Sequence, residues 1–448
     1  MDFKSRNEKL ADDVRDSLNK CVNDLYEQRE QYVKRPGHDF VRERILDFVT
    51  LIKLILSFGA SSNQNELKDF FGSVRSTPNK SALTLQRDKL GKNAFQALFN
   101  LFRDRLWNII PQKKFKNRLI RATDGTDVLL PKDTKNPFTY RHKKDSEGFN
   151  LKHLNALFDP LNRLYTAFNF DTVEKKDERT ALLDLLTSLI GKMVILLADR
   201  GYESYNLIAH CIESKIEFSV RAKELASNGI LAGISYLLPD KDEFDTTITL
   251  HLTYLREKDK KGIPNIKVLS KSTKFDFLSN DVPYYALQLR IVCFTLSSGI
   301  KEYLLTNLPR DEFSLTDMKE LYNLRWGIEL SFRELKYLVD MVHFHALKEE
   351  YIDQEVAAKL IMFNYSSAIC NNVVVPNASK KESGLRYDRK VNFALGVTDC
   401  KKYWLYRISV EELCMRLLRF LTPEKKGRKA PRKIRSQRAR SFNYRSSM

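Results

Sequence analysis

Met193-Val194-Ile195-Leu196-Leu197-Ala198-Asp199-Arg200-Gly201-Tyr202 joins an unbroken apolar run to an acid and a turn. A run of that length without alternating polar residues predicts a strand buried on both faces, the kind found inside α/β sheets. Sites in such sheets lie beyond the carboxyl ends of the strands, which makes Asp199 a candidate; the competing reading is a loop acid paired with Arg200. Upstream, Leu119 to Thr126 reads as a strand that ends in the Asp124 carboxylate and a turn at Gly125. Asp127 is the rival for the same role. Lys152 to Phe158 and Arg163 to Phe170 read as two more strands, joined by the hairpin signal Asp159-Pro160-Leu161-Asn162, and Glu178 to Ile190 reads as a helix. The order strand, strand, strand, helix, strand allows a mixed sheet whose first and fourth strands are neighbours. Asp124 then stands beside Asp199, and two carboxylates so placed repel unless a cation joins them.

Downstream, the segment from Lys215 to Pro309 is strand-like: Ile248, Leu250, Leu252 and Tyr254 alternate with Thr247, Thr249, His251 and Thr253, and Ile266 to Leu269, Leu287 to Phe294 and Tyr303 to Thr306 add further strands. This β-rich module carries Arg256, Lys258, Lys260, Lys261, Lys267, Lys271 and Lys274 with Tyr254, Phe275 and Phe277, a mixture that suits a DNA strand and equally a solvated sheet rim. Ser314 is the expected N-cap of the next helix, with Asp317 in place of the usual Glu of a capping box. That helix runs through Tyr322 to Lys336. At about 100° per residue, Tyr322, Arg325, Glu329 and Lys336 share one arc about 60° wide, beside an apolar stripe of Leu321, Leu324, Ile328, Phe332, Leu335 and Val339. An aromatic ring, a guanidinium, a carboxylate and an ammonium in one row suit a phosphate backbone and a metal ion, although a solvated charged face has the same pattern. With Asp124 and Asp199, Glu329 completes three hard oxygen ligands from three segments, a donor set for Mg²⁺ or Mn²⁺. Two such ions about 4 Å apart serve phosphodiester cleavage or strand transfer.

The chain of 448 residues is too long for one ordinary domain, and 43% hydrophobic content can fill a substantial core. A formal charge of +19 points to a polyanionic partner, with nucleic acid ahead of an anionic membrane because no basic amphipathic anchor stands out. No apolar run is long enough to cross a bilayer, and the start lacks a signal-peptide core, so a soluble intracellular protein is expected. Cys21, Cys211, Cys293, Cys370, Cys400 and Cys414 are scattered, which indicates neither a disulfide framework nor a zinc cluster. His343 and His345, two apart, diverge and read as structural.

The amino-terminal region is helical in pattern from about His38 to Trp107. Phe40 to Phe58, Gln64 to Phe71 and Ser81 to Trp107 form three stretches, the last carrying Arg87, Lys89, Lys92, Arg103 and Arg105. Short helices with basic faces suit docking on duplex DNA, and a plain helical bundle fits equally well. Glu350 to Ile369 and Glu411 to Leu421 read as further helices. The end, Glu424 to Met448, holds ten Lys or Arg against one Glu and reads as a disordered basic tail with salt-sensitive DNA affinity.

Taken together, these motifs resemble the DDE transposases of bacterial insertion sequences, and more narrowly the group whose third-acid segment is written Y-(2)-R-(3)-E-(6)-K. Tyr322, Arg325, Glu329 and Lys336 match that spacing; Asp124-Gly125-Thr126 matches the first-acid motif, and Ala198-Asp199-Arg200-Gly201-Tyr202 the second. Leu305-Thr306-Asn307-Leu308 is similar to the family's lead-in to the last helix. The resemblance covers roughly Phe40 to Ser367. It implies an α/β fold: a ribonuclease-H-like mixed-sheet core (116–214 and 311–375) interrupted by a β-rich insertion domain (215–310). Helical regions flank it, an end-binding domain at 1–115 and a dimerising region with the basic tail at 376–448. By position, Asp124, Asp199 and Glu329 are the expected catalytic acids and ligands of two Mg²⁺ ions, for which Mn²⁺ substitutes. Tyr322, Arg325, Arg333 and Lys336 are the expected DNA contacts, and Trp326 either stacks on a base or packs.

The implied partners are double-stranded DNA, as terminal inverted repeats and as target, and a second copy of the chain in a paired-end complex in the bacterial cytoplasm, at the nucleoid. No membrane partner is implied. Some relatives use an insertion-domain tryptophan at a hairpin step. Here the tryptophans are Trp107, Trp326 and Trp404, none of them in the insertion. Either Tyr254, Phe275, Tyr284 or Tyr285 serves instead, or the step is managed differently. A domesticated DNA-binding protein without the reaction, or a nuclease of the same core without strand transfer, is the competing function.

Overall fold

The computed structural model describes residues 2–424 except 73–76, 142–147, 173–176, 256–261, 380, 382, 383 and 385. The basic tail from 425 onward, and Arg256, Lys258, Lys260 and Lys261, lie outside the described residues. The amino-terminal helices are α1 (Phe3–Glu27), α2 (Phe48–Ser57), α3 (Asn63–Phe71), α4 (Lys80–Arg87) and α5 (Ala94–Leu106). The long α1 was not foreseen, and the third expected helix is two, because Asp88 to Asn93 form a turn around Gly91 that pairs with Tyr32. Then come β1 (Leu119–Leu130), β2 (Tyr140–Arg141), β3 (Phe149–Asp159), β4 (Leu164–Asp171), α6 (Glu178–Leu186), β5 (Val194–Ala198), α7 (Tyr205–Glu213) and β6 (Glu217–Ala222). After these follow β7 (Phe244–Thr253), β8 (Ile266–Val268), β9 (Tyr285–Thr295), β10 (Lys301–Thr306), α8 (Leu315–Arg325), α9 (Gly327–Tyr337) and α10 (Glu349–Cys370). The last elements are β11 (Asp388–Val391), α11 (Phe393–Trp404), α12 (Val410–Arg419) and β12 (Leu421–Glu424).

One large mixed sheet runs in the order β2-β3-β1-β5-β6-β10-β9-β7-β8, with β4 also paired to β3. The first and fourth long strands, β1 and β5, are parallel neighbours in the register Leu119↔Val194 to Ala122↔Leu197, as the alternation of strands and helix led one to expect. β6 continues the parallel set. The segment 215–310 pairs edge to edge with this sheet: β10 returns antiparallel onto β6, and β9, β7 and β8 extend outward.

Alternation along the strands divides the core in two. Ile120, Ala122, Ile195 and Leu197 face the cluster shared with α8, α9 and α10, whereas Val194, Leu196 and Ala198 face the cluster shared with α6 and α7. On the first side, α10 is buried from Tyr351 to Cys370 almost without interruption. Asn364 fixes it to β4 by exchanging hydrogen bonds with the backbone of Tyr165. Helices from both ends of the chain, α1, α2, α5, α11 and α12, close around α10 and share one hydrophobic cluster with it. Among the described residues no helix is long and apolar enough to cross a membrane. The six cysteines are free and buried, and folding brings the Cys370 and Cys400 sulfurs to 3.9 Å.

Candidate active site

β1 does not end at Asp124. It continues to Leu130, paired throughout with β3, and Gly125 is an ordinary strand residue opposite Asn155. The glycine is required for space: a Cβ there would lie 2.1 Å from His153 Nε2 and 2.9 Å from Glu178 Oε1. β5, by contrast, stops at Ala198, so beyond Ala122 the β5 edge of β1 is open. Asp124 lies two residues past the last rung on β1 and Asp199 two past it on β5, both on the face covered by α8 and α9.

The helix over this opening is interrupted. The row Tyr322 to Lys336 reads as one helix in the sequence, yet α8 ends at Arg325 and α9 begins at Gly327. A Cβ at Gly327 would stand 2.7 Å from Pro160 Cβ, so the β3–β4 turn presses on the joint. Trp326 keeps right-handed helical angles, φ −63° and ψ −12°, and the row survives the break. At the start of α8, Ser314 and Asp317 form the expected capping box.

A chain of polar contacts links this helix pair to the sheet. The Tyr322 hydroxyl donates to Glu302 Oε1 (3.0 Å), and Glu302 pairs with Arg221 (2.6 Å). Arg221 lies 3.4 Å from Asp199 Oδ1. Arg325 Nε is 3.9 Å from the same oxygen, and Arg325 Nη1 donates to Glu329 Oε1 at 3.2 Å. Arg325 is only 2% exposed, with its guanidinium over the Trp326 ring, 4.1 Å from the centroid. Its Nε and Nη2 have no hydrogen-bond partner among the described residues. Lys336 Nζ reaches β1, donating to Thr126 Oγ1 (2.6 Å) and Asp127 O (2.9 Å). Trp326 is half-buried against Tyr322 and the core, and Arg333 is exposed.

Asp199 and Glu329 therefore have a cation within 4 Å, whereas Asp124 has the backbone N–H of Gly125. Burial pushes the Asp124 carboxyl up to about 7, with the Gly125 hydrogen bond opposing and the nearby Glu329 and Glu178 charges adding to the rise. Among the described residues no three His, Cys, Asp or Glu side chains converge closely enough to hold a metal ion as they stand. The donor set nevertheless fits a hard divalent cation: it is all carboxylate, and Asp124 is desolvated beside like charges.

Several polar groups here were not singled out by sequence reasoning. Arg221 and Glu302 sit on strands β6 and β10 and read there as ordinary strand residues. His153 and Glu178 lie next to Gly125 on the α6 side of the sheet; Glu178 is the first residue of α6 after the Asp177 cap, where an acid is commonplace. A helix-start acid between two motif glycines, Gly125 and Gly201, becomes a signal only after the sheet register is known. In the amino-terminal region, three of the five basic residues expected to face DNA pair with acids of the chain, and a fourth, Lys89, donates to Gln86 Oε1 at 2.9 Å. Arg87 pairs with Glu355, Arg103 with Asp104, and Arg105 with Asp24.

Comparison with known proteins gives a match to the family model described as a transposase DDE domain over residues 116–365, more than half of the chain. The transposase for insertion sequence element IS421 of Escherichia coli is 36% identical over 84 residues, covering 18% of this chain and 21% of that protein. The transposase for insertion sequence element IS231F of Bacillus thuringiensis subsp. israelensis is 30% identical over 143 residues, covering 31% of this chain and 28% of that protein. The chain thus spans only about a fifth to a quarter of the length of these curated relatives. Among solved structures, a piggyBac transposase synaptic complex with hairpin DNA aligns at 10% identity with a TM-score of 0.43, over 96% of this chain and 87% of that one.

Proposed function

The chain belongs to the transposase DDE domain family, and from that premise we propose that it is a DNA transposase of a bacterial insertion sequence. In this reading it binds the element's terminal inverted repeats, cleaves the ends by metal-dependent phosphodiester hydrolysis and joins the 3′ ends to target DNA. The reading rests above all on one observation: Asp124 within β1 and Asp199 just after β5 lie two residues past the last rung shared by these adjacent parallel strands, and Glu329 is on the helix over that level, paired to Arg325.

In this proposal the strands β1 to β5 with α6 to α9 form a ribonuclease-H-like core, and the expected insertion, 215–310, joins it through β6, which pairs with β5, and carries β7 to β10. Asp124, Asp199 and Glu329 would hold Mg²⁺, with Mn²⁺ as a substitute. Such ions, when bound, activate an attacking oxygen and stabilise a leaving one in phosphoryl transfer. Arg325 has two unpartnered nitrogens and a planar fork suited to phosphate. Its transfer from the acids to a DNA phosphate would release Glu329. Glu302 fixes the hydroxyl of Tyr322, which is buried beside Arg221. Lys336, anchored on β1, adds a point charge beside the first acid.

With Arg87, Arg103 and Arg105 engaged internally, the exposed loop before α2 is the better surface for the DNA ends. His38, Arg42 and Arg44 line a cavity of about 320 Å³ there, together with Arg35, which pairs with Asp39, and Lys89, which donates to Gln86. A dimer on paired ends would couple cutting to synapsis.

The test is cleavage of a plasmid carrying the gene with its native flanks, by wild-type and Glu329→Gln protein, with Mg²⁺ and with chelator. Breaks mapped to paired inverted repeats, seen only with Mg²⁺ and the intact acid, are expected. Specific binding by folded wild-type protein without any breaks would mean a catalytically silent DNA-binding descendant, and breaks without strand-transfer products a nuclease.

A further inference from the structure

Arg121 lies opposite Asp159 across the antiparallel pair of β1 and β3, because Ala122 is in register with Phe158. The alternation that turns Ile120 and Ala122 toward the helices α8 to α10 turns Arg121 to the other face. Arg121 is 4% exposed, and its Nη1 is used inside the chain, donating to Ile120 O (2.8 Å) and Asp159 Oδ2 (2.5 Å). Nε and Nη2 donate to nothing among the described residues, although the side chain lines a cavity of about 170 Å³. The Trp107 ring lies against the guanidinium, 5.4 Å from centroid to Cζ, and holds its plane. A buried guanidinium with half of its fork unpaired is costly, which marks a position that a ligand completes.

Two further cations reach the same cavity. Arg103, on α5, is committed: Nε and Nη2 pair with Asp104, and Nη1 donates to Asn100 Oδ1 and Thr166 O. Lys192, in the turn before β5, is exposed. Partial burial and then the charges of Arg103 and Arg121 hold its ammonium below its usual value, with Asp104 opposing. Asp104 thus answers Arg103, and Asp159, behind the cavity, answers Arg121. The Lys192 charge and the free edge of Arg121 remain, and together they suit a single oxyanion. The cavity is smaller than the roughly 300 Å³ at which pockets begin to enclose small molecules, so one anionic group enters it rather than a whole nucleotide.

We propose that this cavity binds one phosphate group, with Arg121 Nε and Nη2 donating to two of its oxygens and Lys192 closing over it from the turn before β5. The site stands apart from the three acids, since Lys192 precedes β5 and Asp199 follows it, about 20 Å away along the strand. A phosphate of a DNA strand and inorganic phosphate share this chemistry. In the transposase reading the occupant is a DNA strand passing the end of the sheet remote from the acids, and only that identity rests on the reading. The competing account is that Arg121 and Asp159 serve solely to pin β1 to the β3–β4 turn.

The test uses the full-length protein in chelator with two probes: inorganic phosphate, titrated by calorimetry at constant ionic strength, and a DNA duplex, whose binding is measured against salt. Lys192→Gln alters an exposed residue, and Arg121→Lys keeps a cation opposite Asp159 while losing the fork; thermal melts check folding. Each is expected to weaken phosphate binding about ten-fold or more. With DNA as the occupant, Lys192→Gln also flattens the plot of log binding constant against log salt by about 0.9. Lost phosphate affinity with an unchanged slope supports the site and identifies a free phosphate species as its occupant. Phosphate affinity and slope both at the wild-type value in folded Lys192→Gln and Arg121→Lys overturn the site and leave only the structural pair. If Arg121→Lys does not fold, Lys192→Gln decides alone. A wild-type protein that binds phosphate but no DNA keeps the site and sinks the transposase reading. One that binds DNA but no phosphate, with the slope kept in Lys192→Gln, sinks the site alone.

Discussion

Two buried sets of acids in this molecule behave in opposite ways. On α10, Glu355 is buried and saturated: it accepts from Arg87 Nη1 (2.8 Å) and from the backbone N (3.0 Å) of His345, with His345 Nδ1 at 3.1 Å. Burial alone would push its carboxyl up, yet Arg87 and His345 hold it at about 2. Glu66 nearby, bonded to the backbone of Gly59 and Ser61 and 3.6 Å from His345, is likewise held at about 2 against burial. Within β1, just past its last rung with β5, Asp124 has one backbone donor and carboxylates for neighbours, and burial takes it up to about 7. Acids of the first kind are finished within the chain and hold helices together. Asp124 is left with one backbone donor, and in the proposed reading a bound cation completes it. Net charge at a buried site, rather than burial itself, separates the structural acid from the functional one.

The largest effect expected from this contrast is on activity. Asp124→Asn should lower Mg²⁺-dependent nicking of end DNA at least about 10³-fold, roughly 4 kcal/mol of barrier. Its melting temperature in chelator should be equal to or above that of wild type, because a repelled charge has been removed. A clear loss of stability in this variant would put Asp124 with the structural acids and break the comparison.

The converse holds for Glu355→Gln. It leaves the Arg87 guanidinium buried without its counter-charge, and urea unfolding should show a loss of about 3 kcal/mol. Nicking per folded molecule should stay within about two-fold of wild type. A stable Glu355→Gln protein would mean that Gln354 and the Tyr351 carbonyl satisfy Arg87 unaided.

Acidity sharpens the same contrast with a smaller effect, of order 2 kcal/mol. A carboxyl held low in the folded state contributes stability that is present above its unfolded value, 4.5 for Glu, and lost as pH falls toward about 2. Wild type should therefore lose its advantage over Glu355→Gln as pH drops below about 4.5. Asp124 runs the other way: raised in the folded state, it costs nothing below 3.8 and destabilises as pH rises through about 7. In chelator, Asp124→Asn should gain on wild type between pH 4 and 7. Parallel stability curves for those two proteins would sink the assignment of a desolvated Asp124.

Much of this was legible in the chain, for definite reasons. Met193 to Asp199 declared a buried strand by its unbroken apolar run, and the strand and helix order put Asp124 beside Asp199. The Ser314 cap and the Tyr322 to Lys336 row were local patterns with a fixed spacing. What could not be read depends on contacts distant in sequence. The joint after Trp326 has Pro160, more than a hundred residues away in sequence, packed against Gly327. Gly125 looked like a turn because glycine usually marks one, and its true constraint, His153 and Glu178, comes from β3 and α6. Arg87 and Arg105 looked like an exposed basic face because their partners, Glu355 and Asp24, lie on other helices. The long α1 carries many charges on a narrow apolar stripe of Ala11, Val14, Leu18, Val22 and Leu25, easily overlooked until the helices that cover it are known.

Lys336 is the most finely balanced case, since it belongs to the acid row yet is already bonded to Thr126 and Asp127 O in the protein. If those bonds aim the ammonium at a DNA phosphate, Lys336→Ala should remove about one phosphate contact. The plot of log binding constant against log salt for an end-DNA duplex should then flatten by about 0.9. If the bonds serve only to tie α9 to β1, the slope should stay put while the melting temperature falls by the equivalent of about 1 kcal/mol. Lys336→Arg separates the two further, because a guanidinium keeps the charge and the salt slope but cannot reproduce the point-like reach to both Thr126 and the Asp127 carbonyl. A normal slope with lowered stability in the Arg variant, beside a flattened slope in the Ala variant, would place Lys336 on the functional side of the divide that Asp124 and Glu355 define. An unchanged slope in both would place it on the structural side.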